Sequence, residues 1–213
     1  KPALILKTCA VGGSNIDRAE MLRRIELIRE SCSSDDLPNV YLLHGDFTDT
    51  EMNEIYNNYK VKAMISLTKG EGFGRPLLEF SVLNKPIITT GWSGHVDFLS
   101  KDYCALLGGE LEKVHQSAQV KDMILGEAQW FKVGDQWINN AYQDVYYNYK
   151  SWKDKSKKQG FHSRKNFSFK KMKNLIENIF KENIPELPKK MELKLPSMNK
   201  IKMPKKDKLK IVK

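Results

Sequence analysis

Residues 63–83 constrain this chain more than any other stretch. The apolar run Ala63-Met-Ile-Ser-Leu67 reads as a buried strand, and Leu77 to Leu83 reads as a helix. Between them runs Lys69-Gly-Glu-Gly-Phe-Gly-Arg-Pro-Leu-Leu-Glu-Phe80, so a strand passes through a glycine-rich turn into a helix. Pro76 suits the first helical turn, where a missing N–H costs nothing. Gly70, Gly72 and Gly74 let the backbone bend and leave its amides uncovered. Bare amides at a helix N-terminus, aided by the helix dipole, attract phosphate.

Two carboxylates bracket the turn, Glu71 within it and Glu79 one turn into the helix, with seven residues between them. A sugar nucleotide presents an anionic diphosphate with neutral hydroxyls on either side. Amides suit the diphosphate, and ionised carboxylates accept hydrogen bonds from the hydroxyls. A Glu at each end of the cradle can therefore grip a ribose on one side and a transferred sugar on the other. The structural alternative is a loop charge at Glu71 and a solvated helix charge at Glu79. Arg75 adds charge near the phosphate, or is an exposed residue at the helix start.

The rest of the chain supplies the frame. Ala3-Leu-Ile-Leu6 reads as a parallel strand, Asp17 to Glu30 as a helix with Met21, Leu22, Ile25 and Ile28 along one stripe, and Val40-Tyr-Leu-Leu43 as the next strand. Thr48 or Asp49 caps a helix over Thr50 to Asn58, and Pro86-Ile-Ile-Thr-Thr90 is another strand. The order β-α-β-α-β-α-β predicts an α/β fold with a doubly wound, Rossmann-like parallel sheet, whose ligands sit beyond the carboxyl ends of the strands. The loops Lys7 to Asn15, His44 to Thr48, Thr68 to Gly74 and Gly91 to His95 all fall there. Lys7 can reach phosphate from the end of its strand, or is an ordinary strand-end Lys. His95 contacts substrate from the last loop, or is a capping or packing His. Val96 to Ser100 reads as a short helix, and Ala105-Leu-Leu-Gly-Gly109 as a final strand and turn. The aromatic stripe from Trp130 to Tyr149 reads as core packing, and Ser168 as the N-cap of a last helix ending near Phe180. His115 and His162 carry no readable role.

Thr68-x-x-Glu71-Gly-Phe-Gly-Arg-Pro-Leu-Leu-Glu79, followed by Asn84-Lys-Pro-Ile-Ile-Thr-Thr-Gly-Trp-Ser-Gly-His95, resembles the nucleotide-binding domain of the retaining glycosyltransferases with the GT-B fold, of the group 1, family 4 type. Sucrose synthases, glycogen synthases and bacterial mannosyltransferases typify that group. Its signature is E-x7-E enclosing G-F-G, preceded by Ser or Thr and followed by a strand of the G-x-P-V-I kind. Asn84 stands here where the group has Gly, and Arg75 where it has an aliphatic residue. The resemblance implies that Glu79 binds the donor ribose, that Glu71 is the catalytic-site carboxylate at the transferred sugar, and that Gly72, Phe73 and Gly74 present amides to sugar or diphosphate. His44 and Gly45 fall where the group's base-binding loop begins. The group's usual Arg and Lys pair would precede Lys1, so the first strand is expected to be missing from a fragment that is the C-terminal half of a GT-B architecture. Acceptor groups would come from a missing N-terminal domain, leaving the fragment alone inactive. The donor is a nucleotide diphosphate sugar, with no cofactor and no metal expected.

Composition bounds the remainder. The chain has 213 residues and a formal net charge of +10, and no window approaches the roughly 18 apolar residues of a membrane span. Cys9, Cys32 and Cys104 are odd in number and lack C-x-x-C pairing, which points to reduced thiols in a cytoplasmic protein, with Cys9 and Cys104 as buried small hydrophobes. No His, Cys or Asp cluster has metal-ligand spacing. Residues 1–180 are expected to form the nucleotide-sugar domain. Residues 181–213 carry 11 Lys against 4 acids and repeated Lys/Pro stretches, and are read as a disordered basic tail. The tail is a plain solvated terminus or contacts an anionic surface, with no specific nucleic acid implied. Two other readings remain: a GT-B sugar-nucleotide epimerase, and a non-catalytic interaction module acting through the tail.

Overall fold

The structure, a computed structural model, describes residues 2–8, 14–34 and 36–185. Cys9 and the part of the basic tail beyond residue 185 lie outside them. The elements in chain order are β1 (Leu4–Lys7), α1 (Asn15–Glu30), β2 (Val40–Leu43), α2 (Asp49–Asn57), β3 (Met64–Ser66), α3 (Arg75–Ser81), β4 (Ile87–Thr90), a 3₁₀ turn (Gly94–Asp97), β5 (Ala105–Leu107), β6 (Glu110–Lys113), a second 3₁₀ turn (Gln116–Ala118), β7 (Gln129–Lys132), α4 (Asp135–Tyr147), α5 (Tyr149–Asn166) and α6 (Phe169–Asn183). Two compact units result, Lys1–Lys171 and Met172–Lys213. Among the described residues no helix is long and apolar enough to cross a membrane.

Local chemistry sets the helix starts. Ser14 accepts from the Asp17 amide and the Asp17 carboxylate accepts from the Ser14 amide, a complete capping box for α1. Thr48 and Glu51 repeat the device at α2. At α6 the Ser168 hydroxyl accepts from the Lys171 amide at 3.3 Å, as its N-cap position requires.

The strands form an α/β arrangement of small sheets. β1 pairs β2 in parallel, β3-β4-β5 form a second parallel sheet, and β6 pairs β7 antiparallel. The single sheet expected from sequence is thus divided: among the described residues, no strand pairing joins β1 to β3. The hairpin of β6 and β7 is an addition, since Ala105–Leu107 is not the last strand. Its strands, Glu-Leu-Glu-Lys and Gln-Trp-Phe-Lys, are four residues each, too short to leave a periodic signal. Gly109 makes the turn into it possible, because a Cβ there would lie 2.1 Å from the Lys132 carbonyl oxygen.

Burial concentrates on β4, whose residues are all buried. Ile87 packs with Leu77, Phe80, Phe98, Leu99 and Cys104, while Ile88 packs with Ala105, Leu107 and Val145. Successive side chains of a strand point to opposite faces, so these are the two sides of one sheet, the first lined by α3 and the second by α4. A strand covered on both faces reads as the continuous apolar run seen in the sequence. The thiol of Cys104 is pushed up to about 12 by burial, which makes it a packing group and not a nucleophile. By contrast no described residue of β1, α1 or β2 is fully buried, and Ile28 of the α1 stripe is exposed. The aromatic stripe also divides. Phe131 is buried, whereas Trp137, Tyr142, Tyr146 and Tyr147 are exposed, so core packing holds only for part of it. On α6, Met172, Leu175, Ile176, Ile179 and Phe180 recur at helical spacing and are likewise exposed.

α2 is tied to the core from its C-terminal end. Lys85 Nζ donates to the carbonyls of Tyr56 and Asn58, and the Tyr56 ring meets Phe80 edge-on at 5.5 Å. α5 docks through polar groups. Gln159 is buried, its Oε1 accepting from the Ser100 amide at 3.0 Å and its Nε2 donating to the Phe98 carbonyl at 2.6 Å. Ser163 and Ser81 extend the network at 2.8 Å. Replacing Gln159 with Leu strands a buried amide and a buried carbonyl at about 1–3 kcal/mol each. The expected result is a stability lower by about 2–6 kcal/mol, read as a lower denaturant midpoint with an unchanged m-value.

Candidate functional site

The site is built where two loops meet, Leu67–Gly74 after β3 and Gly91–Gly94 after β4. The β3–β4 register of Ser66 against Thr89 brings their carboxyl ends side by side. Three hydrogen bonds then pin the backbone of Glu71. Its amide donates to Ser93 Oγ at 2.9 Å, the Ser93 hydroxyl donates back to the Glu71 carbonyl at 2.5 Å, and the Gly94 amide donates to that same carbonyl at 3.0 Å. Ser93 holds φ at +87°, outside the usual range for a residue with a side chain. Strain of this kind costs about 1–3 kcal/mol and persists only where the surroundings enforce it. Here the two-way bond to Glu71 is the enforcement.

Glycine is demanded at two positions around this junction. Gly94 has no room for a Cβ, which would sit 2.0 Å from the Gly72 carbonyl oxygen. Gly74 is buried with φ at +81° and starts α3 without any side-chain cap. Gly72 is different: nothing lies within 4 Å of where its Cβ would be, and the residue is exposed. Asn84, at the position where the resembled group carries Gly, has φ at +58°. Asn is among the few residues that adopt this left-handed conformation readily.

The expected site residues fall into three groups. Glu71, Gly72, Phe73 and Gly74 lie together on the pinned loop. Phe73 is exposed yet braced on the buried ring of Phe98, with centroids 5.2 Å apart. Glu79 and Arg75 form a second group on α3. The guanidinium of Arg75 bonds Glu79 at 2.5 Å and Asp49 of α2 at 2.8 Å, and those carboxylates raise its pKa. Arg75 is thus engaged with two carboxylates and is not a free phosphate cation. The phenol of Tyr56 is pushed up by burial and by the nearby Glu79 charge. The third group, Lys7 and His95, does not share the pinned loop. Lys7 is exposed with its ammonium 5.8 Å from the Phe47 ring centroid. His95 is fully buried, and its Nε2 lies 2.6 Å from the Thr90 carbonyl. A carbonyl only accepts, so Nε2 carries the proton and that side of the ring is committed to the fold.

Among the described residues, four buried side-chain atoms have no hydrogen-bond partner: His44 Nε2, Thr68 Oγ1, Thr90 Oγ1 and His95 Nδ1. Each follows or ends a strand at its carboxyl end, His44 after β2, Thr68 after β3, and Thr90 and His95 at and after β4. Buried polar atoms are nearly always satisfied; Thr68, Thr90 and His95 belong to β3, β4 and the loops that follow them, whereas His44 follows β2 in the other parallel sheet. Thr90 and Ser93 carried no signal as single residues, because hydroxyls of this kind abound in loops. A shallow concavity of about 490 Å³ along α5, lined by Tyr103, Lys157, Phe161 and His162, includes none of these atoms. Among the described residues, no group of three or more His, Cys, Asp or Glu is placed to hold a metal ion.

Aromatic side chains frame the same loops and were not singled out as site residues from sequence. Trp92 stacks on Phe131 of β7, with centroids 5.7 Å apart and planes 4° from parallel. The Phe131 amide donates to the Lys69 carbonyl at 3.0 Å, which fastens the added hairpin to the start of the glycine-rich loop. Lys69 Nζ lies 4.8 Å over the ring of Trp130. Comparison with known proteins places this chain in no family: no family model, no curated protein and no solved structure matches it.

Proposed function

We propose that this chain is the donor-binding half of a retaining glycosyltransferase of the GT-B kind, taking a nucleotide diphosphate sugar and supporting transfer of its glycosyl unit to an acceptor held by another domain. The observation that carries the reading is the junction at Glu71. A strained Ser93 and a sterically obligatory Gly94 hold this carboxylate-bearing loop in one conformation, and Thr68, Thr90 and His95, on and after the same two strands, each carry a buried side-chain atom without a hydrogen-bond partner. In this reading the two parallel sheets are the flanks of one doubly wound sheet, with the break between β1 and β3 at its central strand.

Each residue then has a task. The open amides around Gly72 receive the diphosphate and stabilise the charge that develops on it as the glycosidic bond breaks. Glu71 accepts from hydroxyls of the transferred sugar. Glu79 accepts from the ribose, which requires Arg75 to swing from Glu79 towards Asp49. An exposed ion pair of this kind is weak enough to exchange. Glu71 and Glu79 flank a donor, so they do not act as the acid and nucleophile pair of a glycoside hydrolase.

The two carboxylates are separable by experiment. Losing a hydrogen bond to a charged group costs about 1.5–3 kcal/mol, about tenfold or more in affinity. Glu79→Ala is expected to weaken free nucleoside diphosphate by about that factor in calorimetric titration. Glu71→Ala should leave the free nucleotide bound and, in the enzyme with its acceptor domain, lower turnover. Equal loss of bare nucleotide affinity in both variants would contradict this division.

A further inference from the structure

We propose that Trp92 is the platform on which the sugar ring of the donor stacks, and hence a specificity-determining residue for the glycosyl unit; this rests on the donor-site reading above. The ring is fixed before any ligand arrives. One face lies against Phe131, itself buried and hydrogen-bonded through its backbone to Lys69. Its Cζ3 edge meets Gly70, where a Cβ would approach to 3.1 Å. Trp92 nevertheless remains 37% exposed, so its accessible surface is the opposite face and the remaining edge.

Its position relative to the reacting groups is also fixed. The next residue, Ser93, exchanges two hydrogen bonds with the backbone of Glu71, so the residues that carry the indole and the carboxylate are joined at one backbone junction. A pyranose is two-sided in the same way: one face is a patch of C–H groups, and the rim is hydroxyl. An aromatic face takes the first, while Glu71 and the open amide of Gly72 take the second. A nucleobase fits less well, because in the proposed donor site the ribose, and with it the base, goes to Glu79 on α3 and the transferred sugar to Glu71. Burying an exposed aromatic that is already rigid costs little side-chain entropy, which favours stacking at this residue.

The test uses the 213-residue chain with UDP, GDP and ADP and with UDP-glucose, GDP-mannose and ADP-glucose. For the nucleotide that binds, Trp92→Ala is expected to lower affinity for the nucleotide sugar by about tenfold, the size of a lost stacking contact, and to leave the free nucleoside diphosphate within about twofold. Trp92→Phe keeps an aromatic face and should hold nucleotide-sugar affinity within about threefold of wild type. Intrinsic fluorescence of the unmutated protein gives a readout independent of any folding defect: the nucleotide sugar should quench it more than the nucleotide alone, and Trp92→Phe should remove that difference. The proposal is overturned if Trp92→Ala weakens nucleotide and nucleotide sugar equally, if it weakens neither, or if the quenching difference survives in Trp92→Phe. Absence of binding by the unmutated chain to all six compounds would overturn the donor site itself and the platform with it.

Discussion

Replacing Gly94 with Ala is expected to lower the melting temperature by about 6–12 °C and to abolish nucleotide-sugar binding. The added Cβ would lie 2.0 Å from the Gly72 carbonyl oxygen, 2.7 Å from its carbon and 3.0 Å from the Glu71 carbonyl oxygen. All three are backbone atoms, so no side-chain rotation relieves the clash. The two loops must separate, and the Gly94 amide then loses its bond to Glu71 while Ser93 loses the restraint on its strained φ. Overpacking costs about 1–3 kcal/mol and a lost hydrogen bond about 1 more, a total near 3 kcal/mol. For a domain of this size that corresponds to about 2–4 °C per kcal/mol. Gly72→Ala is the matched control for melting alone, because its Cβ meets nothing within 4 Å. A Gly94→Ala protein with wild-type melting and binding would remove the loop junction from the account.

Phe98→Ala should cost about 3–5 kcal/mol, the range for deleting a large buried aromatic side chain. Phe98 is buried beneath the site, meeting Phe73 at 5.2 Å and Phe167 at 5.8 Å. It therefore supports the exposed ring of the glycine-rich loop from below. The variant should unfold at lower denaturant, and near-ultraviolet dichroism should show lost aromatic ordering before global unfolding. Phe98→Leu retains most of the volume and should recover about half of the stability. A Phe98→Ala loss below about 1 kcal/mol would mean that the core described around β4 is not the stabilising one.

The two predictions concern features of unequal legibility in the sequence. The strands β1 to β5, the helices between them and the caps Ser168 and Thr48 follow from apolar runs, spacing and side-chain oxygens, all local signals. The division of the parallel strands into two sheets does not, because pairing between strands is non-local. The hairpin of β6 and β7 is not legible as strands, since Glu110–Lys113 and Gln129–Lys132 are four residues each, too short to show a period. At the site, Glu71 and the glycines were visible because the turn concentrates them. The roles of Ser93 and Trp92 depend on contacts across 22 residues and with β7, which no local pattern encodes. For Arg75 the sequence leaves open a phosphate contact or an exposed helix-start residue, and its partner Asp49 lies 26 positions away, beyond any local pattern.

The central claim is that the loop junction at Glu71 holds a nucleotide sugar, and a thermal-shift series tests it most directly. UDP-glucose, GDP-mannose and ADP-glucose, each beside its free nucleoside diphosphate, would be added to the 213-residue chain. A ligand at about 100 times its Kd stabilises by about 2.7 kcal/mol, here about 5–10 °C. The account predicts a shift of that size for one nucleotide series, reduced in Glu79→Ala and absent in Gly94→Ala. No shift with any of the three series, or an undiminished shift in Gly94→Ala, would contradict it.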